Sequence, residues 1–358
     1  MAENKQRLLS LDILRGITVA GMILVNNGYG ESFEMLRHSK WNGMTPCDLV
    51  FPFFLFIMGV SMYLSLSKSQ FKASGPRMRK IVRRTVLLFL IGLAINWLEL
   101  GCQGEWTNLG ILRIWAVLQR IALSYGIASV IVIMLSHRWL IPAIIVLLVI
   151  YSVILLTGDG YAENAHNILS RVDCALFGFS HLYRKSPVDP EGLLGVIPSV
   201  AHVLIGFYVG MKIKNTENLL DKAFSVLLVA AVLIIGGYLL SFGLPLNKCI
   251  WSPSYVLMTC GLASALLGLL MYCVDIRNGR RWHTFFVVFG VNPLFLYVLS
   301  ELIAIVFGYF GISDAMFAGI TLIVSHPQTA SLLYALSFVM INFLFGYILY
   351  HKKIFIKL

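Results

Sequence analysis

The sequence predicts an all-α integral membrane protein, a polytopic bundle of about ten transmembrane helices with room for an eleventh. Three observations lead there. Hydrophobic residues make up 58% of the 358 positions and charged residues only 13%. The mean hydropathy is +0.82. The apolar residues fall in runs of roughly 17 to 25, the length that crosses a bilayer as a helix. No polar interval between runs approaches the roughly 100 to 150 residues of an independent domain, so residues 1–358 read as a single transmembrane domain.

The first run, 11–30, follows MAENKQRLLSLDILRG, which carries no short apolar stretch with a small-residue cleavage site and so reads as a retained helix, not a signal peptide. The second, 46–66, is announced by GMTPCDL. Thr45 suits the N-cap, Pro46 the first helical position, and Asp48 completes a capping box. Runs at 83–100, 111–135 and 140–157 follow, and the next, 194–212, is preceded by DPEGLLG. There Asp189 can cap, Pro190 can begin the helix and Glu191 suits its positive end. Runs at 222–242, 254–274 (with Ser252 and Pro253 as its start signal), 284–308 and 330–350 complete the ten. The segment ELIAIVFGYFGISDAMFAGITLIVSH, 301–326, leaves space for an additional or re-entrant helix.

A net charge of +11 would suggest nucleic acid for a soluble protein, but in a membrane protein the placement of the charge is what carries information, and no nucleic-acid partner is expected. With ten spans, the N-terminus, 67–82, 136–139, 212–222, 275–283 and the C-terminal HKKIFIKL share one side and hold about 20 of the 28 Lys and Arg residues. By the positive-inside rule that side, with both termini, is cytoplasmic. The links around His38, GCQGEWTN, 157–193 and GLPLNKCIWSPS then face outward together. Four of the six cysteines lie near that outer face, where an oxidising compartment would permit a disulfide.

Ionisable residues within or near spans usually face a cavity or a partner, because burying them in lipid costs a few kcal/mol. Asp12 and Arg15 lie at the inner end of the first span, three apart on one face, and can pair with each other. Asn26 and Asn27 lie at its outer end, Asp48 at the start of the second span, Arg113 and Arg120 in the fourth and Asn292 in the ninth. His38 stands in RHSKWNG, about twelve residues after Asn26. A histidine with a near-neutral pKa beside an amide that can hold a carbonyl oxygen suits proton transfer with a bound substrate, although an isolated loop histidine is more often merely solvated. The histidines show no metal-ligand spacing, so no metal is expected, and there is no G-x-S-x-G, P-loop or G-x-G-x-x-G.

Several segments in order, RLLSLDILRGITVAGMILVNN, RHSKWNGMTPCDLVFPFFLFIMGVSMYLS, WAVLQRIALSY, DPEGLLGVIPSV, LPLNKCIWSPSYV and FGVNPLFLYV, closely resemble the membrane part of the heparan-α-glucosaminide N-acetyltransferase family and its bacterial relatives, from about residue 7 to the C-terminus. The resemblance implies transfer of an acetyl group from cytosolic acetyl-CoA to the amino group of a glucosamine-type sugar on the far side of the membrane. The chain reads as a bacterial-type form without the luminal domain of the lysosomal enzyme, expected in a bacterial inner membrane, with the lipid bilayer, acetyl-CoA and an amino-sugar acceptor as its partners and a homodimer admitted.

Carried over by motif, His38 is similar to the family's active-site histidine and Asn26 to its catalytic asparagine, with Asn27 as the alternative because the spacing to His38 is one residue longer than the family's. Arg120 in LQRIA matches a motif arginine. For the CoA phosphates the inner-face candidates are Arg15, Arg83, Arg84, Arg280 and Arg281. Arg120 and Asn292 join them as expected cofactor-binding residues. Trp41, Asn42, Asp48, Asp189, Glu191, Asn247, Lys248 and Trp251 share the outer vestibule and are expected to hold the sugar, the two tryptophans by stacking, although tryptophans at this depth more often serve as interfacial anchors. A transporter that moves a sugar without chemistry is the competing reading, and an acyltransferase acting on another cell-envelope glycan is a second.

Overall fold

The computed structural model describes residues 8–183, 186–279 and 283–356, and every regular element among them is helical. Thirteen α-helices follow one another: α1 Leu9–Asn26, α2 Val50–Leu66, α3 Gly75–Cys102, α4 Val117–Met134, α5 Leu140–Thr157, α6 Ile168–Phe177, α7 Val196–Asn215, α8 Leu219–Ser241, α9 Pro253–Leu270, α10 His283–Val291, α11 Pro293–Tyr309, α12 Ile312–Ile323 and α13 Pro327–His351. Nine of the described helices are long and apolar enough to cross a membrane. In lipid, with no water to satisfy a free backbone group, continuous helices of this kind are what a spanning chain must adopt.

Two expectations need correcting. The run 284–308 is not one straight span: α10 and α11 meet at an 85° bend. The cause is local, since Pro293 cannot donate to the turn before it and opens a new helix. The fourth span does not begin at 111 either; 112–116 is not helical and α4 starts at Val117. The space left within 301–326 is filled by the short apolar helix α12.

The bend explains Asn292, which was expected to meet the cofactor. It is 1% exposed. Its Nδ2 donates to the Ile354 carbonyl (2.9 Å) and its Oδ1 accepts from the Ile356 amide (2.9 Å). Its polar atoms are thus spent on the chain's own C-terminal segment. Arg15 donates to the Gly290 carbonyl (3.1 Å), and the Leu9 amide donates to Asp275 (3.2 Å). These bonds gather the start of α1, the turn that follows α9, the bend and the segment after α13 at one end of the bundle.

The bundle is ordered from centre to rim by burial. Within its most apolar window α7 is 78% buried, whereas α3 and α8 are 22% buried and turn most of their apolar surface outward, as lipid-facing helices do. Glycines set the central contacts. A Cβ on Gly59 of α2 would lie 2.1 Å from the Val203 carbonyl of α7, and one on Gly206 of α7 would lie 2.2 Å from the Phe56 carbonyl. The two backbones therefore touch, the close approach that small residues permit between membrane helices. All six cysteines are free, so the outer-face disulfide is not formed.

Gly59→Ala should lower the thermal stability of detergent-purified protein by about 1 to 3 kcal/mol through overpacking. Gly308→Ala, where nothing lies within 4 Å of the added carbon, should leave it unchanged. Melting curves of the two variants check this.

Candidate active site

The site is assembled around one carboxylate. Asp48 closes the expected capping box: its Oδ2 accepts from the Thr45 amide (2.9 Å) and hydroxyl (3.1 Å) and from the Ser39 amide (3.1 Å). Its Oδ1 is left for His38, whose Nδ1 stands 2.8 Å away. The Asp48 side chain is wholly buried and the His38 ring is 49% exposed. An ion held by three donors at a helix start thus fixes an imidazole that faces open space. With Asp48 accepting from Nδ1–H, the tautomer leaves the Nε2 lone pair outward.

Lys248 reaches the same place from the loop before α9. Its Nζ is 2.8 Å from His38 Nδ1, 3.1 Å from Nε2 and 3.5 Å from Asp48 Oδ1. The loop is held in register by main-chain and amide bonds. The Gly43 amide donates to the Leu246 carbonyl (2.7 Å), Asn247 Nδ2 donates to Asn42 Oδ1 (3.1 Å), and Asn247 Oδ1 accepts from the Ile250 amide (3.1 Å). Asn42 and Asn247, both expected to hold sugar, stitch the His38 loop to the Lys248 loop; Asn247 is buried and Asn42 is exposed. Cys47 Sγ lies 3.1 Å from His38 Nδ1 but is 1% exposed, so it packs behind the ring.

His38 and Lys248 open onto a cavity of about 890 Å³, within the range of small-molecule sites. Asn26 lines it and Asn27 does not: Asn27 is buried, with Nδ2 donating to the Ile23 carbonyl one turn back (2.8 Å). Asn26 Nδ2 donates to Glu301 Oε1 (3.2 Å). Glu301, Asn96, Glu99, Gln119 and Tyr297 share the wall and were not singled out from the sequence. The signal for Glu301 was present, a lone carboxylate in an apolar run.

Arg113 also lines the cavity, from the non-helical segment before α4. One nitrogen, Nη2, donates to Asp189 Oδ1 (2.9 Å) and Glu191 Oε2 (2.8 Å), and the guanidinium lies over Tyr183, 4.7 Å from its centroid. Burial works against the Arg113 charge, yet the two carboxylates outweigh it and raise its pKa above the ordinary arginine value. Glu191 is in the cavity wall; Asp189 is 3% exposed and also accepts from the Tyr183 and Glu191 amides. Asp189 is therefore a loop anchor and not a cavity-facing sugar contact.

Three further expectations are corrected by burial. Trp251 is 1% exposed, edge-on to Phe51 and Tyr255, beneath Arg120, whose guanidinium carbon is 4.3 Å from the indole. Trp41 is 9% exposed, with Nε1 donating to the Tyr161 carbonyl (2.9 Å). Neither indole is a sugar platform. Arg120 is fully buried, donating to Ser199 Oγ (2.8 Å) and to the Gly195 (2.6 Å) and Pro190 carbonyls. Its donors are engaged by the loop before α7 and by Ser199, which ties α4 to the start of α7.

Arg15 and Arg84 do share a second cavity, of about 310 Å³, nearer the opposite end of the same helices. Arg15 donates to Asp12 (3.0 Å) and Ser61 Oγ (2.8 Å). Arg84 lies over Tyr125 at 4.5 Å, and its Nε has no hydrogen-bond partner among the described residues. Arg280 and Arg281 lie outside the described residues. Among the described residues no cluster of His, Cys, Asp or Glu has the geometry of a metal site.

With this geometry in view, the chain was compared with known proteins. The family described as heparan-alpha-glucosaminide N-acetyltransferase, catalytic, matches residues 7–245, and the chain belongs to it. It is 29% identical to the heparan-alpha-glucosaminide N-acetyltransferase of Homo sapiens, over 98% of this chain and 60% of that one, and 28% identical to that of Mus musculus, over 99% and 61%. The chain thus spans about three fifths of the length of these curated relatives.

Removing Arg113 should strand the buried Asp189 carboxylate. Arg113→Met is expected to cost about 3 kcal/mol of stability, and adding Asp189→Asn should return part of it. A double-variant melting cycle measures the coupling.

Proposed function

We propose that this member of the heparan-alpha-glucosaminide N-acetyltransferase family transfers an acetyl group from acetyl-CoA to the amino group of a glucosamine-type sugar, with donor and acceptor entering from opposite faces of the membrane. The observation that carries the reading is the Asp48–His38 pair, with Lys248 beside it, opening onto the cavity that Asn26 lines. Sidedness rests on the basic loops, which by the positive-inside rule support a cytoplasmic position for the end bearing both termini. The second cavity, with Arg15 and Arg84, lies towards that end, and a guanidinium suits a CoA phosphate.

The chemistry follows from the geometry. The sugar amine must be neutral to attack. Nε2 of His38 takes a proton from the amine as its nitrogen bonds to the thioester carbonyl carbon, and Asp48 stabilises the resulting imidazolium. The carbonyl oxygen gains the displaced electron pair. Asn26 Nδ2 has two N–H groups; Glu301 takes one and fixes the amide, leaving the other for the oxyanion. Lys248, displaced from the ring by the acceptor, adds a positive charge at the same position. When the intermediate collapses, the carbon–sulfur bond breaks and the imidazolium proton passes to the CoA thiolate, so the histidine ends as it began.

The match to a family described as an N-acetyltransferase favours the enzyme reading over a transporter without chemistry. Glu99, Glu163, Glu191 and Glu301 in the wall suit an acceptor that arrives as an ammonium ion.

The test is CoA release from acetyl-CoA by purified protein with glucosamine. His38→Ala should lower turnover by about 10²- to 10⁴-fold, and Asn26→Ala by about 10²- to 10³-fold, with Asn27→Ala close to wild type. Near-normal turnover of His38→Ala would falsify the mechanism, and sugar uptake by proteoliposomes without CoA release would select the transporter.

A further inference from the structure

The two cavities are aligned on the same helices, about one turn apart. On α3 the inner cavity has Leu88 and the outer one Gly92; on α4 they have Ile121 and Leu118; on α11, Leu294 and Tyr297. At 1.5 Å per residue these steps are about 4 to 6 Å along the axis, so the septum is a single layer of side chains. Arg84 precedes Gly92 by eight residues on α3, about 12 Å.

Gln119 sits on α4 at this junction, in the wall of the outer cavity. It is fully buried, and neither Oε1 nor Nε2 has a hydrogen-bond partner among the described residues. Space for it is left by the opposite helix: a Cβ on Gly92 would come within 2.4 Å of Gln119 Oε1. A buried carboxamide with nothing to bond costs about 1 to 3 kcal/mol, and in lipid-embedded protein such a residue is expected to serve a partner. Arg113, paired with carboxylates, and Arg120, bonded to carbonyls, are already engaged nearby.

We propose that Gln119 is a binding residue for the donor's pantetheine arm, pairing its carboxamide with one of the arm's amides as the arm crosses from the Arg84 cavity to the His38 cavity. The match is chemical. A secondary amide offers one N–H and one carbonyl, and a primary carboxamide can answer both. The inference rests on the acetyl-CoA reading, because a donor without a long amide-bearing arm would have no need of the contact.

The experiment is acetyl-CoA binding by calorimetry on detergent-purified protein, with KM for each substrate, for wild type and Gln119→Met. Loss of the paired amide should weaken acetyl-CoA binding and raise its KM about five- to fiftyfold. KM for glucosamine should hold and the melting temperature should hold or rise, since methionine fills the volume and removes an unpaired buried amide. Wild-type binding that Gln119→Met leaves undiminished overturns the inference while the donor reading stands. Wild type that binds no acetyl-CoA overturns both. If Gln119→Met does not fold, Gln119→Asn, whose shortened amide cannot cross the septum, is measured instead, and unchanged donor affinity there also overturns it.

Discussion

The structure around the candidate site depends on the Asp48 carboxylate. One oxygen accepts from the Thr45 amide and hydroxyl, closing the turn that leads into α2, and pins the loop at Ser39; the other holds His38, with Lys248 nearby. A wholly buried carboxylate is stable only when its lone pairs are used, and here helix cap and site geometry use the same ion. The capping and functional roles of Asp48 are therefore one arrangement. The loop cannot move without uncapping the helix, and His38 is oriented by a feature that the fold requires in any case.

That arrangement stands on a tightly set frame. Gly59 and Gly206 let α2 and α7 touch through their backbones, and Gly16 and Gly290 do the same for α1 and α10. Arg120 binds carbonyls at the start of α7 and covers Trp251. With α2 held against the most buried helix, α1, α3, α4 and α11 leave the two cavities between them, one at the acidic and histidine-bearing end and one at the arginine-bearing end. The proposed transfer across the membrane would need access from both faces, and the two cavities lie towards opposite ends of the same helices.

What the sequence made legible was local or periodic. Span positions follow from hydropathy, and the Thr45–Asp48 box follows from a three-residue spacing. The break at Asn292–Pro293 was missed because an apolar run shows length and not direction. Trp251 and Trp41 were misread for a related reason: position at the outer end of a span does not say which way an indole points, and Arg120, 131 positions away in the chain, is what buries Trp251. Arg120 itself looked functional because a charge in a span must be answered, but the answer came from backbone carbonyls. Gln119 and Glu301 lay unremarked in apolar runs, although a polar residue there calls for an explanation.

The central claim is transfer across the membrane, donor on the side of the termini and acceptor on the side of His38. It is tested most directly in proteoliposomes of known orientation, with acetyl-CoA supplied on one side and glucosamine enclosed on the other. The account predicts N-acetylglucosamine only when acetyl-CoA is on the side that bears the chain termini. Product formed only when donor and acceptor share a side, or with acetyl-CoA on the His38 side, would contradict it.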